Sequence, residues 1–66
     1  MSPARYVERV RVEAAATLLE SGDAGLDAVA RRCGFGSAET QRRAFLRVLG
    51  ITPGGYRDRF RTTGAA

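Results

Sequence analysis

Residues Leu26 to Leu49 read LDAVARRCGFGSAETQRRAFLRVL. A short amphipathic segment, Leu26 to Cys33, meets a longer arginine-bearing one through the corner Gly34-Phe35-Gly36. Ala30 stands four residues before Gly34. Two helices that cross steeply need a small residue where their backbones approach, and a glycine where the chain turns with positive φ. Ser37 is suited to cap the next helix, and Glu39 in its first turn suits the positive end of the helix dipole. Gly50 is placed to end that helix just after Leu49. The pattern predicts two short helices joined by a tight turn.

Working outward, Ser2-Pro3 pairs a capping residue with a proline that fits the first helical position. It predicts a helix running to about Glu20. Val7, Val10, Ala14 and Leu18 fall at helical spacing, with Tyr6, Ala15 and Leu19 widening that stripe, so this face is the expected core side. Residues 21–25 are rich in turn formers, and Gly25 offers the second helix no side-chain cap. Downstream, Thr52-Pro53 repeats the cap-plus-proline signal and predicts a short last helix from about Gly54 to Phe60. The expected fold class is all-α: a small helix-turn-helix, homeodomain-like bundle with a long N-terminal linker helix and a short C-terminal helix. Its parts are a linker helix over 1–20, a helix-turn-helix subdomain over 21–61 and a frayed tail over 62–66.

The chain has 66 residues, enough for one small domain. A domain of this size buries only about 60% of its unfolded surface. No apolar run approaches the roughly 20 residues of a membrane span, and no segment has the pattern of a secretion signal. Net charge is +4, and all 11 basic residues are arginine. This balance favours a polyanionic partner, and the arginine fork matches phosphate and the edge of guanine. GC-rich codon usage explains an excess of Arg, Ala and Gly equally well. The single cysteine, Cys33, forms no internal disulfide and suits a reducing cytoplasm. With no histidine and no second cysteine, it offers neither a metal site nor a nucleophile pair, and its expected role is packing. No catalytic residue, metal or cofactor is expected.

One internal repeat stands out. Met1 to Arg11 resembles Ile51 to Arg61, with Pro3, Tyr6, Arg9 and Arg11 matching Pro53, Tyr56, Arg59 and Arg61 at a period of 50 residues. Two capped helices can share this much by chance. If the repeat is structural, each copy closes a helix-turn-helix unit, and the chain is expected to be half of a two-unit DNA-binding domain.

These residues, taken together, resemble the AraC/XylS family of bacterial transcription regulators. The matching positions are Ser2-Pro3, Tyr6, Arg11-Val12, Ala15, Leu18-Leu19, Val29-Ala30, Gly34-Phe35, Ser37, Arg43, Phe45, Gly50, Pro53 and Tyr56-Arg57. Family members carry two helix-turn-helix subdomains joined by a long helix. The resemblance implies that residues 3–20 correspond to that linker and the rest to the second subdomain. One position departs: the family usually has an apolar residue where Gln41 stands. Gln41, Ala44, Phe45 and Val48 share a face that should pack inward, so the amide must bend outward or find a buried partner.

In helix-turn-helix proteins the first turns of the second helix meet base edges in the major groove. Ala38, Glu39, Arg42 and Arg43 are therefore the base-reading candidates. Arg43 matches a family position that often reaches DNA, and its alternatives are guanine O6 and N7 or a phosphate. Glu39 can accept from cytosine N4 or serve the helix dipole alone. Ala38 can touch a thymine methyl, and Arg42 can address phosphate or solvent. Ser37 is a cap first and a phosphate ligand second, while Arg47 can reach the backbone on one flank. Gly54 and Gly55 are expected to leave N–H groups uncovered at the start of the last helix, with Arg57 adding charge there. Arg11 is expected to pair with a nearby carboxylate.

The leading expectation is sequence-specific binding of double-stranded DNA, in the cytoplasm and at the nucleoid. The resemblance adds RNA polymerase as a second partner. The competing expectations are a protein-interaction module, and a shortened fragment that binds DNA only weakly. Oligomeric state, operator and effector are not encoded in these patterns.

Overall fold

A computed structural model of the chain describes residues 2–65, with side chains described through Phe60. It contains four helices: α1 (Pro3–Ser21), α2 (Leu26–Arg32), α3 (Ala38–Leu49) and α4 (Pro53–Ala65). Each starts where local chemistry permits. Ser2 Oγ accepts the Arg5 N–H at 3.3 Å, and Pro3 opens α1. Ser37 Oγ accepts the Thr40 N–H at 3.2 Å and opens α3. Gly25 caps α2 without a side-chain bond. Such caps satisfy N–H groups that have no partner inside the helix.

The end of α2 explains the corner. The Phe35 N–H reaches back to the Ala30 carbonyl at 2.9 Å, and the Gly34 N–H to the Arg31 carbonyl at 3.3 Å. This nested pair of bonds closes a helix whose next residue is left-handed. Gly34 and Gly36 have φ of 87° and 84°. A Cβ on Gly34 would also stand 3.0 Å from Arg11 Nε, so the Arg11 side chain of α1 lies over the turn. Arg11 thus packs on backbone; it has no carboxylate partner among the described residues, contrary to expectation. The physical reason is its position above the glycine corner, where its guanidinium covers the turn.

The core gathers Val12, Ala15, Ala16 and Leu19 from α1, Val29 from α2, and Ala44 and Phe45 from α3. Ala30 is also fully buried, as its place beside the corner requires. Phe35, Val48 and Tyr56 pack around this set. Burying a side chain the size of Phe45 stabilises by about 1.5–3 kcal/mol.

The buried face of α1 differs from the expected one. Val7, Val10 and Ala14 are exposed, and Leu18 is only half-buried. Two apolar stripes overlap on this helix, and periodicity alone does not say which faces the bundle. The stripe with adjacent alanines wins, because small side chains let α1 approach α3 and α4 closely.

Gln41 is fully buried, so its amide does not bend outward. Its Nε2 donates to the Leu26 carbonyl at 3.2 Å, tying α3 to the start of α2. Its Oε1 has no partner among the described residues. An unpaired buried acceptor of this kind costs about 1–3 kcal/mol.

α4 is longer than the expected 54–60 span. It begins one residue earlier, at Pro53, and continues to Ala65. No proline interrupts this stretch after Pro53, so nothing stops the helical hydrogen bonding after Phe60. The final residue of the expected tail, 66, lies outside the described residues.

Candidate nucleic-acid interface

α3 has two sides with opposite chemistry. Gln41, Ala44 and Phe45 face the core. Glu39, Arg42 and Arg43 face solvent, with the Arg43 side chain 67% exposed. The sides separate because residues at i, i+3, i+4 and i+7 share one face of a helix.

Three of the outward side chains form one cluster. Arg42 Nε lies 3.1 Å from Glu39 Oε1, and Arg42 NH2 lies 2.9 Å from Oε2. Arg43 Nε lies 3.0 Å from the same Oε2. The hydrogen bonds from Arg42 first, and Arg43 second, draw the Glu39 carboxyl down to about 2. A depressed acid of this kind holds its partners above its ordinary value of 4.5 and releases them as pH falls toward about 2. The cluster therefore stands intact at neutral pH.

Arg47, one turn after Arg43, turns toward α1. Its Nε lies 3.1 and 3.2 Å from the two oxygens of Glu8 on α1. The Arg47 hydrogen bond lowers the Glu8 carboxyl below its usual range, against the opposing pull of partial burial. The pair links α1 to α3 across their surface. Arg5, Arg9 and Val48 line the same shallow cleft, about 300 Å³ in volume.

The starts of α3 and α4 meet. Ala38, Glu39, Gln41 and Arg42 line one cleft of about 360 Å³ with Leu26, Thr52, Pro53 and Gly54. Thus Ala38, Glu39, Arg42 and Gly54 stand together, although Gly54 is twelve or more positions along the chain from the others. Arg43 flanks them through Glu39. Arg47 lines the other cleft, on the α1 side.

The start of α4 is more fully capped than expected. Thr52 Oγ1 accepts the Gly55 N–H at 3.1 Å, and the Thr52 carbonyl accepts the Tyr56 N–H at 2.8 Å. The Gly55 N–H is therefore covered, because Thr52 closes the turn. Gly54, one residue earlier, lies in the cleft. Thr52 was legible as a cap; that it also removes a site of anion binding follows only from which N–H its oxygen reaches.

Arg57 is turned inward. Its NH2 donates to the Ala24 carbonyl at 2.5 Å and stands 3.5 Å from that of Gly22. Its Nε is buried and without a partner among the described residues. The side chain braces the α1–α2 loop through these two carbonyls. Ser37 is likewise engaged, since its hydroxyl also donates to Thr40 Oγ1 at 3.0 Å.

The sequence reasoning missed the clamp on Glu39. The i, i+3 and i, i+4 spacing of Glu39 with Arg42 and Arg43 carries that signal, because such residues are neighbours on a helix surface. Cys33 sits at the C-cap of α2, where burial pushes its thiol up and Arg32 pulls it down less strongly, the direction that disfavours the thiolate. Among the described residues, no group of His, Cys, Asp and Glu is arranged to hold a metal ion. No helix among them is long and apolar enough to cross a membrane.

A family profile described as a helix-turn-helix domain matches residues 1–59. The chain is 54% identical over 59 residues to an HTH-type transcriptional regulator of Mycobacterium tuberculosis, covering 89% of this chain and 23% of that protein. A Streptomyces lividans protein described as an AraC-like transcription regulator is 46% identical over 55 residues, or 83% of this chain and 18% of its own.

The chain belongs to the AraC-type helix-turn-helix family.

The transcriptional activator RhaR of Yersinia pestis is 35% identical over 60 residues, covering 91% of this chain and 21% of that protein. The chain spans about a fifth of the length of these curated relatives. No solved structure matches it significantly. The relatives are transcription regulators, and the expectation of a non-enzymatic domain agrees with that kinship. The all-α helix-turn-helix fold agrees with it as well.

Proposed function

We propose that this chain binds double-stranded DNA as part of a transcription regulator, with α3 entering the major groove. The observation that carries this is the outward side of α3, where Glu39, Arg42 and Arg43 project from a helix anchored on its other side by Phe45. Ala38, Glu39, Arg42 and Arg43 would address base edges. Ser37, Arg47 and Gly54 would lie toward phosphate, whereas the Gly55 N–H is already given to Thr52 Oγ1. Arg57, tied to the α1–α2 loop, would contribute charge near the backbone. The net charge of +4 supports the same partner.

The internal repeat supports a two-unit arrangement over a longer protein, in which residues 1–20 close one unit and 21–61 form the next. Exposed Tyr6, Val7 and Val10 on α1 fit a surface that a neighbouring unit covers. Contact with RNA polymerase and location at the nucleoid are further parts of this proposal, and kinship with transcription regulators supports them.

Fluorescence anisotropy with duplex DNA across a salt series tests the reading. If about four phosphates are neutralised, the logarithm of affinity should fall against the logarithm of salt with a slope of about −3.6. Charge reversal at Arg43 and Arg47 should abolish the binding. A response that ignores salt defeats it.

A further inference from the structure

Arg42 and Arg43 are not equally engaged. Arg42 gives Nε and NH2 to the two oxygens of Glu39, the same forked geometry it would use on a phosphate or on guanine. Arg43 gives only Nε, so its two terminal nitrogens have no partner among the described residues. One carboxylate thus occupies the fork of one arginine and merely steadies the other.

We propose that Glu39 sets how far this interface prefers a base edge to a phosphate, by competing for Arg42 while holding the open fork of Arg43 toward the groove. The proposal rests on α3 being the DNA-reading helix. Phosphate oxygens occur at every step of any duplex, so an unengaged arginine gains on every sequence. An arginine already on a carboxylate only exchanges one anion for another and gains little. Glu39 itself is repelled by phosphate. It is compensated only where the groove presents an amino donor, such as cytosine N4. Guanine O6 and thymine O4 are acceptors and offer it nothing. The site that best satisfies the cluster therefore shows an amino group to Glu39 and a guanine edge to Arg43. Elsewhere the clamp stays closed, and non-specific affinity stays low.

The test measures the 66-residue chain, in low salt upward, on two probes. One is a random-sequence duplex, and the other is a duplex selected from a random pool by the unaltered chain. Glu39→Gln should tighten binding to the random duplex several-fold at low salt. Its salt slope should steepen by about 0.9 to 1.8, as one or two further phosphates are engaged. The selected duplex should gain less, so the ratio of the two affinities should fall. Glu39→Gln combined with Arg42→Gln should lose the added slope.

Glu13, an exposed acid on α1 outside this cluster, serves as a charge control. Glu13→Gln should leave both the slope and the ratio unchanged. A Glu39→Gln slope equal to that of the unaltered chain overturns the proposal, as does equal weakening on both duplexes. An identical gain from Glu13→Gln overturns it too, since net charge alone would then suffice. If the unaltered chain binds neither duplex, the DNA reading itself fails and takes the inference with it.

Discussion

Two stretches of this chain share a capping pattern and four identical residues and have different fates. Residues 2–11 and 52–61 both open a helix with a hydroxyl cap, a proline and, three residues later, a tyrosine. Locally they behave alike: Ser2 Oγ takes the N–H of Arg5, and Thr52 Oγ1 takes that of Gly55. In space they part. Pro3 is exposed and Pro53 is buried. Tyr6 is 62% exposed, whereas Tyr56 packs edge-on against Phe45 with ring centroids 6.1 Å apart. Tyr56 also stacks near Phe60 at 4.8 Å, and its hydroxyl donates to Glu20. A capping pattern determines where a helix begins, because it acts through atoms three residues apart. Burial needs a partner surface, and only the second copy has one here.

The comparison breaks most easily at the tyrosines. Tyr56→Ala should destabilise the domain by about 2–3 kcal/mol, through lost area and a lost aromatic pair. Tyr6→Ala should stay within about 0.5 kcal/mol, as surface changes usually do. Thermal melts separate these readily, since 1 kcal/mol shifts a small domain by about 4–8 °C. Equal losses at the two positions would mean that Tyr6 has a partner surface of its own.

The caps sharpen it at smaller scale. Thr52→Ala should cost about 1 kcal/mol, because the start of α4 is docked on the core. Ser2→Ala should cost less, since the first turns of α1 contribute few buried contacts. Denaturant titration of both variants gives the ranking, and a larger effect at Ser2 would reverse it.

Gln41 tests the partner surface from the α3 side. Gln41→Leu should stabilise by about 1 kcal/mol, by removing an acceptor that is buried without a partner. A loss of stability would instead give greater weight to its bond with the Leu26 carbonyl.

The smallest effect concerns pH. Burial first, and the bond to Glu20 second, push the Tyr56 hydroxyl up to about 12. A raised acid favours the folded state in its neutral form. This contribution is whole below the free tyrosine value of about 10 and is lost as pH rises toward about 12. In a Tyr6→Phe background Tyr56 is the sole tyrosine, and its phenolate absorbance should appear late. Ionisation near the free value would separate Tyr56 from the surface that distinguishes it from Tyr6.

Much of the bundle was legible from local signals. The Ser37 cap, the glycine corner and the Gly50 ending of α3 each act within one turn of chain, so each followed from residue type and spacing. Gly50 closes α3 with φ of 72° and its N–H 3.1 Å from the Phe45 and Leu46 carbonyls. The face of α1 was not legible, because Val7, Val10 and Ala14 form as good a stripe as Val12, Ala15, Ala16 and Leu19. Among the candidate contacts, the outward side of α3 was visible as a helical periodicity. The inward turn of Arg57 and the attachment of Arg47 to Glu8 were not, since their partners lie 33 and 39 residues away.

By itself the sequence determined where helices start, turn and stop, and that one side of α3 is charged, because hydrogen bonds and periodicity within a few residues settle those matters. Tertiary structure decided which of two apolar stripes on α1 became core, which tyrosine was covered, and which arginines remained outside. Those outcomes depend on surfaces brought together from distant parts of the chain, and no local pattern contains them.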